Sequence, residues 1–427
     1  MKKKVISVLL AAVMVTGLVA GCGSGGGSGN GGDGSEQTGG GGEYDGVELT
    51  YWSMWSNTEP QGQALQEAVD AWEAETGATV NIEWKGREIK DILSSSLEAQ
   101  EPFDLFEDDY NRIAVNLKDY VADLTDMAAA ANYAENSFAV FNDKATEWAG
   151  FLPCVTEQPQ VGGVYYNMDL FEKAGVEVPT TWAEFLDVCA ALKENDIQPL
   201  ALDSAYAAFL FGYHISRYIG EEAVADLAVN GGWSGNASVA QAAQDMIDFV
   251  KAGYLADGAP AEYPASQNAM GLNGDVAMVV CANYVTAEVN NNTQSELNWG
   301  VFSYPSVEGG IDATGVEYAG ANSIAITKYS ENQQAAFDLA MYIVTGEQDQ
   351  NMADTANQMP ADPNNTVPSS QNGTQELLNA TTTPLTWNMG LNQNGDLQAS
   401  IRDIVIQLFE GKYATGADFA AALDALY

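Results

Sequence analysis

The chain reads as an α/β protein of two lobes, each a mostly parallel sheet flanked by helices. Two observations lead there. Strand-like and helix-like segments alternate along residues 47–427, an order that builds parallel sheets covered by helices on both faces. That stretch also exceeds the ~250–300 residues that one hydrophobic core usually serves, so two lobes are expected.

The elements follow in order. Val47 to Trp52 alternates and is rich in β-formers, which predicts a strand. Leu65, Ala68, Val69 and Trp72 recur at helical spacing up to Gly77, which ends a helix. Thr79–Trp84 predicts a second strand, Glu88–Ala99 a second helix, and Phe103–Phe106 a third strand. Farther on, Gly162–Asn167, Pro199–Leu202 and Met278–Cys281 read as strands, and 240–250 as a helix. Thr181 and Glu184 have capping-box spacing ahead of another helix. Ser330 is the expected cap of a helix over 335–344. Residues 358–386, rich in Asn, Thr and Pro, read as irregular connection. Helices over 397–410 and 417–426 follow, with Gly411 as a C-cap and Thr415 as an N-cap. In sheets of this kind ligands bind outside the carboxyl ends of the strands. Here those ends are Ser53–Asn57, Lys85–Arg87 and Glu107–Tyr110.

Residues 1–46 are of another kind. Lys2, Lys3 and Lys4 precede an apolar run, Val5 to Ala20, that closes on Leu18-Val19-Ala20-Gly21-Cys22. The run is short for a membrane span and has the layout of an export signal. Small residues before a lone Cys predict cleavage after residue 21 and lipidation of Cys22. Residues 23–46 are Gly- and Ser-rich and predict a disordered linker. The expected location is the outer face of the cytoplasmic membrane.

Composition excludes several functions. The formal net charge is −43, which disfavours nucleic acid and anionic lipid. Beyond Cys22 there are only Cys154, Cys189 and Cys281, read as buried thiols. The one histidine, His214, lies among apolar residues and reads as a packed helix residue. No zinc site, cofactor or histidine-based nucleophile is expected. Acidic pairs are too common in this chain to mark a glycosidase, and no phosphate loop is present.

Several motifs, in order, carry a resemblance. They are Leu49-Thr50-Tyr51-Trp52-Ser53-Met54-Trp55, then Trp72-Glu73-Ala74-Glu75-Thr76-Gly77, then Phe103–Glu107, and most specifically Val164-Tyr165-Tyr166-Asn167-Met168-Asp169-Leu170-Phe171. Gly175, Pro179-Thr180-Thr181-Trp182, Phe185 and Gly274-Asp275-Val276-Ala277-Met278 complete the set. The chain resembles extracellular solute-binding proteins of family 1, the maltodextrin-binding type serving ABC importers. The resemblance implies the two-lobed periplasmic-binding-protein-like fold (type II), with the cleft between the lobes. It places one lobe at 47–152 plus about 315–360 and the other at 153–314 plus about 361–427. Chain crossings are expected near Leu152–Pro153, Ser306–Thr314 and Met359–Pro363. It also implies hinge closure on a neutral mono- or oligosaccharide and delivery to permease subunits by a monomer.

Pyranose rings present apolar faces to aromatics and hydroxyls to amides, carboxylates and guanidinium groups. Trp55 and Asn57 lie past the first strand, Arg87 past the second, and Asp108 and Asp109 end the third. Ser204 and Tyr206 follow another strand end. The resemblance adds Tyr284, with Asn283, at the stacking position, Gln158 and Gln160 in the crossing, and Trp387 with Asn388 in a cleft-lining stretch. Asp108 or Asp109 could instead cap the next helix with Arg112 as partner, and Arg87 could serve as counter-charge to that acidic pair. Trp84, Trp148 and Trp182 read as structural anchors. The alternative ligand class is a non-sugar solute such as a polyamine or peptide. A polyamine would require acidic groups to converge on the cleft.

Overall fold

The computed structural model describes residues 42–427. The expected signal, Cys22 and nearly all of the linker lie outside the described residues. Nine strands are present among those residues: β1 (Glu48–Ser53), β2 (Thr79–Trp84), β3 (Leu105–Asp109), β4 (Val155–Asn167), β5 (Gln198–Ala201), β6 (Val276–Ala282), β7 (Trp299–Phe302), β8 (Val316–Ile326) and β9 (Thr383–Leu385). Their order is β2-β1-β3-β8-β4-β6-β5, with β7 added on β4 and β9 on β8.

The first three strands pair in parallel, and so do β5 and β6. Each of these parallel groups is completed by a long strand running the other way. The long strands β4 and β8 join the two halves. Val155–Val161 of β4 pair antiparallel with β8, and from Gly162 onward β4 pairs with β6 and then β7. Strand β8 meets β9 at Val316–Tyr318, β4 at Ala319–Ile324 and β3 at Asn322–Ile326. One uninterrupted strand thus serves both halves, twice.

Alternation along the strands fills the cores. Leu49 and Tyr51 of β1, Leu105 of β3 and Ile324 and Ile326 of β8 share one cluster with Leu65, Val69 and Trp72. Trp52, Phe106, Ala321 and Ala325 point the other way, onto Ile89, Leu93 and Leu97. The second half has one large core, in which Val164, Val279, Phe209 and Met246 meet. Its helix Ala207–Ile219 is buried over most of its length and includes His214. The His214 ring lies 2.9 Å from Asp245 Oδ2 and 3.1 Å from the Tyr304 hydroxyl, a packed residue as expected. The thiols of Cys154, Cys189 and Cys281 are free and buried.

Local signals worked where a cap or a left-handed residue fixed an end. Gly77 closes helix Pro60–Thr76 at φ 76°. The Thr181 hydroxyl accepts from the Glu184 amide at 3.3 Å while the Glu184 carboxylate accepts from the Thr181 amide at 3.1 Å. Thr415 caps Gly416–Asp424 in the same way with Asp418. Three expectations need correction. Helix Gln333–Val344 has no side-chain cap, because the Ser330 hydroxyl is turned to Asp104 and to the Asn332 amide. Residues 358–386 are not wholly irregular, since they hold helix Thr374–Ala380 and β9. The third strand begins two residues later than expected: the Phe103 carbonyl is taken by the Thr327 hydroxyl. Asp104 donates its amide to the Thr50 carbonyl and accepts from the Thr327 amide, but it is the Asp104 carboxylate that accepts from the Thr50 amide, in place of a ladder carbonyl.

Candidate ligand-binding cleft

The carboxyl ends of the strands from both halves face one cavity of about 1160 Å³, slightly above the ~300–1,000 Å³ of ordinary small-molecule sites. Beyond β1 lie Met54 and Trp55, beyond β2 Arg87, and beyond β3 Tyr110. Tyr206 stands past β5, and Asn283 with Tyr284 past β6. The floor is the pair of long strands, at Gln158–Gln160 of β4 and Tyr318–Gly320 of β8.

On the first side, buried Glu107 fastens the end of β1. Its carboxylate accepts from the Met54 amide at 2.8 Å and from the Ser53 hydroxyl at 3.1 Å. That bond set aims Trp55, whose ring is covered by the Arg87 guanidinium at 4.4 Å. Arg87 in turn pairs with Glu59 at 2.8 Å, so its counter-charge is Glu59 and not the Asp108/Asp109 pair. Asp109 lines the cavity and also caps the helix Tyr110–Asn116 through the Asn111 and Arg112 amides. Burial pushes its carboxyl up to about 6 despite those bonds. Trp148, expected as an anchor, also lines the cavity and leans on Tyr110 at 5.4 Å.

On the second side, five aromatics gather. The Trp387 ring packs on Phe209 at 4.5 Å and meets Tyr206 and Tyr318 edge-on at 6.1 and 5.4 Å. Tyr284 completes the wall. In the floor the Tyr318 hydroxyl donates to Gln160 Oε1 at 3.2 Å. Gln158 is nearly buried, its amide against Met352 Sδ at 3.9 Å. Asn283 lines the cavity, yet its amide is engaged by the backbone of β4. Its oxygen accepts from the Val161 amide at 3.2 Å and its nitrogen donates to the Pro159 carbonyl at 3.3 Å.

Nine of the thirteen candidate residues therefore come together: Trp55, Arg87, Asp109, Gln158, Gln160, Tyr206, Asn283, Tyr284 and Trp387. Asn57, Asp108, Ser204 and Asn388 do not line the cavity. Asn57 is exposed on the loop after β1. Asp108 is buried against Arg112 Nη1 at 3.0 Å. Ser204 opens a helical turn held by the Ala261 carbonyl. Asn388 turns its backbone carbonyl toward Gly212, with its side-chain oxygen buried. Tyr110 lies within the expected strand end Glu107–Tyr110 but was not singled out as a ligand residue. Sequence reasoning missed Tyr318 and Glu288, which nothing local marks.

The lining has a chemical character that the whole chain lacks. It contains thirteen asparagines and glutamines and seven aromatics, against three acids and two bases. One of the acids, Glu288, accepts a 2.8 Å bond from Gln267. Another, Glu59, is neutralised by Arg87.

A two-lobed α/β fold with a polar, aromatic cleft across paired crossing strands is that of a solute receptor. Residues 55–350 match the family of bacterial extracellular solute-binding proteins, and the chain belongs to that family. It is a binding protein, not an enzyme. The multiple sugar-binding protein of Streptococcus mutans serotype c (strain ATCC 700610 / UA159) is 39% identical over 54 residues, and that match spans 13% of each chain. Among solved structures, a chitin oligosaccharide binding protein superposes with TM-score 0.68 at 20% identity over 89% of this chain and 98% of the other. The solute receptor AcbH, described as preferring β-D-galactopyranose, gives 0.71 at 16% over 89% and 97%. These likenesses show the fold. Among the described residues no helix is long and apolar enough to cross a membrane.

Proposed function

We propose that this protein captures a neutral carbohydrate, an oligosaccharide of a few units, between its lobes and hands it to the permease of an ABC importer. The observation that carries the reading is the near neutrality of the cleft within a chain of net charge −43. A receptor for polyamines would gather acids at the site, and the lining instead gathers amides and aromatics. Aromatic faces can hold pyranose C–H faces, and side-chain amides both donate to and accept from hydroxyls. The names of the relatives above are consistent with a sugar.

Hinge closure fits a floor made of strands shared by both halves, because a ligand touching both walls favours the closed state. Separate cores support two lobes, for which we keep the bounds 47–152 plus about 315–360 and 153–314 plus about 361–427, although Cys154, Val155, Val161 and Leu378 pack in the first half's cores and Tyr318 in the second's. Lipidation at Cys22 would keep the receptor on the outer face of the membrane, since two or more acyl chains anchor stably.

Calorimetric titration of the purified protein with maltotriose, xylotriose, chitotriose, raffinose and galactose tests the reading. Saturable binding of one of these is expected, and Trp387→Ala should weaken it by about tenfold or more. Binding of spermidine or of a short peptide, with silence across the sugars, would overturn it.

A further inference from the structure

The segment after Trp387 carries the sharpest backbone anomaly among the described residues. Asn388 and Met389 have φ of 60° and 47°, and Gly390 follows at 86°. Two consecutive non-glycine residues in the left-handed region are sparsely populated and persist only where the surroundings enforce them. Two helices supply the enforcement. A Cβ on Gly212, in Ala207–Ile219, would lie 2.7 Å from the Asn388 carbonyl oxygen. A Cβ on Gly390 would lie 2.7 Å from the Ala225 amide nitrogen and 2.9 Å from the Glu221 carbonyl oxygen, both in Glu221–Asn230.

The third restraint is a side chain. Glu221 opens its helix, but its carboxylate does not cap it. It reaches 165 residues along the chain, where Oε1 accepts from the Thr386 amide at 2.8 Å and from the Thr386 hydroxyl. Thr386 immediately precedes Trp387. Below the indole sits Phe209, and beside it Tyr206 and Tyr318, so the free face is the one toward the cavity.

We propose that Glu221 is a positioning residue: its carboxylate, through Thr386, locks the left-handed turn so that the Trp387 indole stands as a fixed platform in the cleft before any ligand arrives. This rests on the reading that Trp387 meets the ligand. The gain is pre-organisation, because a ring already held in place loses little freedom when a partner lies on it. Glu221 itself does not line the cavity. A carboxamide keeps the accepting oxygen, so Glu221→Gln should hold the turn, whereas Glu221→Ala should release it.

Two readouts separate this proposal from the carbohydrate reading. The first needs no ligand. Acrylamide quenching of tryptophan emission in the full protein, with the Trp387 share obtained by difference from Trp387→Phe, should rise about twofold or more in Glu221→Ala. It should stay at the wild-type level in Glu221→Gln. The second is a double-mutant cycle on the affinity for whichever of maltotriose, xylotriose, chitotriose or raffinose binds. Glu221→Ala should weaken binding roughly tenfold alone and add nothing in a Trp387→Ala background. Unchanged quenching in Glu221→Ala, or additive losses in the cycle, would overturn the positioning role. If no sugar binds, the carbohydrate reading fails and the quenching result still decides for or against Glu221. If Glu221→Ala does not fold, Thr386→Val removes the hydroxyl donor from the other side and is judged by the same two measurements.

Discussion

Glu157 projects from β4 where the register slips between Thr156 and Gln158. Its carboxyl is buried, and neither oxygen has a hydrogen-bond partner. The neighbouring donor, the Trp55 indole N–H, is also unpaired. Burial, reinforced by the charge of Glu107, raises the Glu157 carboxyl well above the usual range. Burial likewise pushes Glu107 up to about 7, against the bonds from Met54 and Ser53. Both groups bind protons more tightly folded than unfolded. Their ionisation therefore opposes folding, and stability should fall as pH rises from the ordinary carboxylate range through about 7. Carboxylates such as Asp245, held low by His214 and Tyr218, act only on the acid side of that window. A stability maximum near pH 5 is expected. Glu157→Gln should raise stability at pH 8 by about 1–3 kcal/mol and leave pH 5 nearly unchanged. Urea midpoints at the two pH values measure this, and a wild-type protein more stable at pH 8 than at pH 5 would defeat the argument.

At the scale of elements, β4 is the demanding strand. A Cβ at Gly162, where β4 passes from one set of partners to the other, would stand 2.5 Å from the Tyr213 hydroxyl oxygen and 2.8 Å from Tyr318 Cβ. Gly162→Ala should cost about 1–3 kcal/mol, read as a lower urea midpoint, and an unchanged midpoint would show that the packing yields. The same strand shows what could be read from the chain and what could not. Its second half, Val164–Asn167, announces itself by β-branched and aromatic residues. Its first half contains Pro159, which argues against a strand in any local reading, and only the bulge and the partner β8 make room for it. Strand β8 went unread because Ala319-Gly320-Ala321-Asn322-Ser323 has no β-forming side chains. Small residues are needed there because the cavity lies beside Ala319 and Gly320. The cleft residues at strand ends were legible for a general reason, the geometry of parallel sheets. Tyr318 and Glu288 were not, since they reach the cavity from near the start of the long strand β8 and from a helix.

Over the whole molecule the net charge of −43 repels itself. Salt should relieve that: raising NaCl from ~0.01 to ~0.5 M shortens screening from about 30 Å to well under 10 Å. The thermal midpoint should rise over this range. Affinity for a neutral sugar should change little, because the cleft is nearly balanced, whereas a polycation would bind more weakly as salt increased. Calorimetry across a salt series reads both, and a strongly salt-dependent affinity would count against the sugar.

The hydroxyl of Tyr318 on Gln160 ties one crossing strand to the other in the floor of the cavity. Anything resting there presses on the very members that must flex if the two halves are to move. If the halves close on a ligand as proposed, occupancy and posture become one variable, and a permease would read the angle between the halves, as the tilt of a scale-pan reports a weight.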